Sequence, residues 1–150
     1  MGASQTVQRA EASRSALRQI ERHRRLASVA DLQTRMPLPD VQIRECLVAT
    51  GEFLSRHRPP PEIRDKVDYR ADIKGQEVTI SEVRPRYDDE TRKAEHPFAK
   101  ARWVGTRKVW RLFWMRGDLK WHSYESFPES PNIGTLLEEV TRDPHCCFFG

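Results

Sequence analysis

The stretch Ala99–Ser126, AKARWVGTRKVWRLFWMRGDLKWHSYES, holds all four tryptophans of the chain together with seven lysines and arginines. Cations interleaved with rings are the composition that binds single-stranded nucleic acid, bases stacking on the aromatic faces while the cations neutralise phosphates. The candidates for that work are Arg107, Lys108, Arg111, Phe113, Lys120, His122 and Tyr124. The same set could cleave RNA without a metal. His122 would act as general base or acid, and Arg107, Lys108, Arg111 or Lys120 would stabilise the phosphorane.

Glu82 and Arg84 form a second constellation, in the strand pattern Glu77–Arg84, where Val78 and Ile80 share a face with both. A carboxylate continuing an apolar face must be paired, and Arg84 or a cation of the tryptophan strands is the obvious partner. A structural ion pair is preferred to catalysis here. With Asp72, these residues could also form a degenerate restriction-like nuclease core around a divalent ion. Arg84 then stands where such a core has lysine, a compact point charge that a guanidinium replaces poorly.

The elements that must position these groups are readable from period and turn residues. The tryptophan stretch predicts three short strands with turns at Gly105-Thr106 and Gly117-Asp118, the second as a type II′ hairpin. A loop of two or four residues sets Met115 opposite Lys120, Trp114 opposite Trp121, Phe113 opposite His122, Leu112 opposite Ser123 and Arg111 opposite Tyr124. Alternation then assigns Trp110, Leu112, Trp114 and Trp121 to the core. It assigns Arg111, Phe113, Met115, Lys120, His122 and Tyr124 to the other face. That second face is either an open stacking surface or a half-buried one covered by a helix, with Arg111 over Tyr124; the covered reading is preferred.

Before these strands, Asp40 is expected to cap a helix to about His57 that buries Ile43, Cys46, Leu47, Thr50 and Leu54. Pro59-Pro60-Pro61 stops it. Val67–Lys74 alternates strictly, with Val67, Tyr69, Ala71 and Ile73 facing in, and Lys74-Gly75-Gln76 turns into the next strand. Tyr87–Pro97 reads as a polar loop. After the tryptophan strands, Ile133–Arg142 is a short helix burying Leu136, Leu137 and Val140. Phe148 and Phe149 are expected to dock the tail as an edge strand.

Charge divides the chain. Residues 1–36 carry seven Arg against three acids, and a break at Met36-Pro37-Leu38-Pro39 separates this Arg-rich, partly ordered extension from a single domain over 37–150. Residues 99–124 carry seven cations against one acid, a basic patch able to attract a polyanion. The segments on either side of it are acidic, so the domain over 37–150 is neutral as a whole, with 19 cations and 19 acids, and a neutral domain is a poor duplex binder. No apolar run reaches membrane-spanning length, so no membrane partner is expected. Three cysteines without C-x-x-C spacing suit a reducing compartment, and the expected location is the cytoplasm. His145-Cys146-Cys147 does not complete a metal site of the usual spacing, and neither metal nor cofactor is expected.

Several segments carry a family resemblance: Arg58-Pro59-Pro60, Glu82-Val83-Arg84-Pro85-Arg86, Ala99-Lys100-Ala101, Thr106-Arg107-Lys108-Val109-Trp110, Phe113–Tyr124 and Cys147-Phe148-Phe149-Gly150. In these the chain resembles an uncharacterised bacterial family of small domains of unknown function, over about residues 58–150. The resemblance implies a compact bacterial cytoplasmic domain and transfers no activity. The expected fold is α+β: a four- or five-stranded, mainly antiparallel sheet with an N-terminal and a C-terminal helix on one face. A nucleic-acid-associated binding domain is the leading expectation. A small nuclease and a protein-interaction adaptor are the alternatives, so the expected partner is nucleic acid or another protein.

Overall fold

Alternating apolar and polar residues between short turns build one antiparallel sheet in the computed structural model, which describes residues 37–150. Its elements in chain order are α1 (Asp40–His57), β1 (Asp68–Lys74), β2 (Glu77–Pro85), β3 (Lys93–Val104), β4 (Val109–Met115), β5 (Trp121–Ser123), β6 (Glu129–Ser130) and α2 (Ile133–Arg142). The strands run β1-β2-β3-β4-β5, and β6 pairs with β4 beyond β5. The expected α+β class, the antiparallel sheet and both helices are present, with one strand more than anticipated. The arm over residues 1–36 lies outside the described residues.

Both helices cover the same face. Val78 and Ile80 of β2, Ala99, Ala101 and Trp103 of β3, and Trp110 and Leu112 of β4 are buried there with Cys46 and Phe53 of α1 and Ile133, Leu136, Leu137 and Val140 of α2. The indole N–H of Trp110 donates to Gln42 Oε1 of α1 at 3.1 Å, so the largest core side chain is also satisfied in its polar atom. Asn132 caps α2 by accepting from the Gly134 N–H at 2.7 Å.

The structure departs from expectation in four places outside the tryptophan strands. The cap of α1 is Pro39, without a side-chain bond; Asp40 is the first helical residue, where its carboxylate faces the positive end of the helix dipole. Its buried stripe runs through Cys46, Ala49, Thr50 and Phe53, which α2 and the tail cover, while Leu47 is 59% exposed on the flank. Strand β3 begins at Lys93, inside the anticipated loop, and contains Pro97. A register shift at Ile80/Ser81 accommodates it: Ile80 faces Ala99 and Ser81 faces Pro97, leaving Phe98 as the extra residue of a bulge.

The tail docks without forming a strand. Asp143, in the left-handed region at φ 40°, accepts the backbone N–H groups of Cys147 (2.7 Å), Phe148 (3.1 Å) and Phe149 (2.8 Å). Those donors are thereby unavailable to a ladder. Phe148 is buried against Tyr124, and Phe149 stacks on His57 with ring centroids 5.0 Å apart. Burial, then the nearby Arg56, holds the His57 imidazolium pKa below the ordinary value.

Candidate functional site on the outer sheet face

The turn between β4 and β5 decides which side chains share a face. Leu119 N–H donates to Arg116 C=O at 2.9 Å, and Arg116 N–H donates to Lys120 C=O at 3.2 Å. Leu119 itself sits at φ 59°, whereas Gly117 is not among the residues with positive φ. This is a three-residue loop, a tight turn followed by one left-handed residue, and not the expected two-residue type II′ turn. An odd loop moves the register by one. Met115 faces Trp121, Trp114 faces His122 and Phe113 faces Ser123. Every side chain of β5 therefore changes face relative to the expected pairing.

The exchange brings Trp121 onto the face away from the helices. There it joins Arg111, Phe113 and Met115 of β4, Lys100 and Arg102 of β3 and Glu77 of β2. The side chain of Phe113 is ringed by cations: Lys100 Nζ lies 5.6 Å from its centroid, Arg102 Cζ 5.4 Å and Arg111 Cζ 5.5 Å. Lys100 Nζ is also 4.7 Å from Trp121. These are cation–π distances. Phe113, Met115 and Trp121 are absent from the cluster that packs under the helices, and among the described residues neither helix crosses this face.

Lys100 is unusual for a lysine in being only 8% exposed. Desolvation under the two rings, opposed by the Glu77 carboxylate, holds its pKa below the ordinary lysine value. Glu77 accepts from Arg102 at 2.5 Å and lies 3.6 Å from Lys100. At the far end, Arg107 makes a two-pronged contact with Glu129 at 2.5 and 2.9 Å. Glu129 stands opposite Arg111 on β4. Cations on this face thus outnumber the acids that hold them.

Of the residues singled out from sequence, Arg111 and Phe113 are central to this face, and Arg107 borders it. Lys108, at φ 52°, and Lys120 are exposed in the flanking turns. His122 and Tyr124 are on the other side. The His122 ring nitrogen Nε2 and Asp118 Oδ2 are 2.8 Å apart, and that bond, with the Lys120 N–H, lowers the Asp118 pKa. Tyr124, expected beside Arg111, is buried under α2 with its hydroxyl donating to Glu139 Oε1 at 3.4 Å. Burial, reinforced by Glu139, pushes the Tyr124 phenol up to about 12. Arg111 lies over Phe113, not over Tyr124.

Glu82 does pair with Arg84, but at a strand end that emerges into solvent: Glu82 is half-buried and Arg84 exposed, so the carboxylate is not a buried one. It does not meet Asp72. Asp72 stands opposite Thr79 and Glu82 opposite Tyr69, so alternation directs the two carboxylates to opposite faces of the sheet. Among the described residues no three His, Cys, Asp or Glu side chains gather as metal ligands.

Sequence reasoning passed over Lys100, Arg102 and Trp121. The first two were signalled by the alternation Ala99-Lys100-Ala101-Arg102-Trp103, in which small residues face the helices and cations face away. Trp121 had no local signal, because its face depends on loop length. No helix among the described residues is long and apolar enough to cross a membrane.

The chain belongs to the family described as Domain of unknown function (DUF3024), which it matches over residues 38–150. The match begins about twenty residues before the expected boundary and so takes in α1. No curated protein and no solved structure matches the chain.

Proposed function

We propose that the outer sheet face binds single-stranded nucleic acid, with bases stacking on Phe113 and Trp121, the backbone running over Arg102 and Arg111, and the buried Lys100 adding positive charge from beneath the rings. The observation that carries this reading is the gathering of two aromatic rings and three cations on a face that no helix covers among the described residues. Stacking on aromatic rings is tolerant of base identity, so little sequence preference is expected. A flat sheet face without a projecting element offers nothing to enter a duplex groove, which favours single strands. His122 faces away from these cations, so the arrangement favours binding over cleavage. Free thiols at Cys46, Cys146 and Cys147 support a cytoplasmic setting.

A salt-dependent titration of the full chain with single-stranded RNA, single-stranded DNA and duplex tests this. Affinity should fall with salt. The double substitution F113A/W121A should weaken single-strand binding at least tenfold, each stacked base contributing about 1–3 kcal/mol. Absence of single-strand binding at low salt, or equal binding by the double variant, would remove the reading.

A further inference from the structure

The two edges of the sheet are built differently. One is broken into β5 and β6, of three and two residues, which leaves little ladder for another chain. The other is β1, seven residues long, with no further strand paired to it among the described residues. The Gly75-Gln76 loop makes Lys74 and Glu77 the pair that closes the hairpin. Even-numbered residues of β1 therefore spend their backbone groups on β2, while Tyr69, Ala71 and Ile73 present theirs to the edge. Tyr69 fits this assignment: its N–H is not spent on β2 but donates to its neighbour's carboxylate, Asp68 Oδ1, at 2.8 Å, a bond that a seam hydrogen bond at this position would replace.

Charged side chains or a proline on an edge strand discourage pairing, unless the charges on the incoming strand are complementary. The outer face of β1 alternates in charge: Asp68, Arg70, Asp72, Lys74. That order has a two-fold property. Antiparallel pairing of β1 with a second β1, with Ala71 on the axis, sets Asp68 opposite Lys74 and Arg70 opposite Asp72. On the helix side it sets Tyr69 opposite Ile73, covering an isoleucine that is 36% exposed. Sliding by two residues either way destroys the match. An axis at Arg70 opposes two arginines and aligns Asp68 with Asp72; an axis at Asp72 opposes two aspartates and aligns Arg70 with Lys74.

The neighbouring helix offers a second observation. Leu54 of α1 lines a groove with Tyr69 and Ala71, and Leu47, two turns earlier on that flank, is 59% exposed. Apolar side chains thus border the edge where a second copy's helix would lie, in a groove that Arg58, Lys93 and Glu95 also line.

We propose that β1 is the seam of a two-fold dimer in which two copies of this chain join their sheets edge to edge, with Ala71 on the axis. This inference is independent of nucleic-acid binding. Arg70 and Asp72 pair with each other within the chain at 3.1 Å, and Arg70 with Glu95 at 3.0 Å, but they are 58% and 44% exposed, so either can be reversed without disturbing the core. R70E opposes carboxylates, and D72K opposes cations, at both symmetry-related contacts. By sedimentation equilibrium the full chain should be a dimer, and each single variant should dimerise at least about tenfold more weakly with an unchanged circular dichroism spectrum. Mixing the two variants should restore the dimer, because each then supplies the charge the other lacks. A chain that stays monomeric at high concentration overturns the proposal. So does a dimer indifferent to both substitutions, or a loss that mixing fails to repair.

Discussion

Three hairpins of this sheet carry glycine in their turns, at Gly75, Gly105 and Gly117, and only Gly75 takes the left-handed region; the first and the last make the sharpest comparison. Between β1 and β2, Gly75 takes φ 59° and closes a two-residue loop. The strands leave it in the register that their alternation demands. Between β4 and β5, Gly117 stays out of the left-handed region and Leu119 enters it at φ 59°. The loop is one residue longer and the register slips by one. In a sheet with one face under helices, such a slip is not a small correction: it sends Trp121 to the outer face and Tyr124 into the core. A local choice of turn thus decides the composition of the candidate site.

The most severe test of that comparison exchanges the two aromatics. Y124A should cost about 3–5 kcal/mol in urea unfolding, as for a buried ring, and W121A only about 1 kcal/mol. The two-residue register requires the reverse order. Alkaline titration follows in size. The Tyr124 phenol and the Cys46 thiol are each pushed up to about 12, the first chiefly by burial and then by Glu139, the second by burial and then by Glu45. A folded-state pKa above the unfolded one stabilises fully below the unfolded pKa, here 10 and 9 respectively. That contribution is lost as pH rises towards 12. For Tyr124 alone it is on the order of 3 kcal/mol, and the alkaline loss of urea midpoint should shrink by that part in Y124F. A Tyr124 on the outer face would give Y124F no such effect.

The turns themselves provide the smaller effects. G75A should destabilise by roughly 1–2 kcal/mol, the steric cost of a side chain in the left-handed region. G117A should be neutral or stabilising by up to about 1 kcal/mol, because no atom lies within 4 Å of an added Cβ, its φ is not positive and alanine narrows the unfolded chain. L119G should gain about 0.5–1 kcal/mol, the relieved strain exceeding the entropy that glycine adds to the unfolded chain. Equal responses at Gly75 and Gly117 would erase the distinction between the hairpins.

Much of the architecture was legible because its determinants are local. Alternation in Asp68–Lys74 and Glu77–Arg84, the 3.6-residue stripe of Leu136, Leu137 and Val140, and the Gly75 turn each operate within a few residues. The ion pair of Glu82 with Arg84 was legible for the same reason. What failed depended on distant partners. Leu47 and Phe53 both fit a helical stripe, and only α2 and the tail determine that Phe53 is covered. Pro97 looked like a loop residue until a bulge opposite Ile80 gave it a place in β3. Asp143 diverts three N–H groups that an edge strand would have used.

Composition and period, which every residue carries with it, were enough for the class of fold, the order from the first helix through the tryptophan strands to the last helix, and the basic, aromatic cluster in the second half. They were not enough for β6 or the strandless tail. Tertiary structure alone decided which rings and cations look outward together. Side-chain period in a strand is two, so membership of a face rests on the parity of a loop, and a leucine accepting the left-handed region changed that parity. Lys100 shows the same dependence: a cation in any reading of the chain, it becomes a desolvated one only where β3, β4 and β5 bring Phe113 and Trp121 over it.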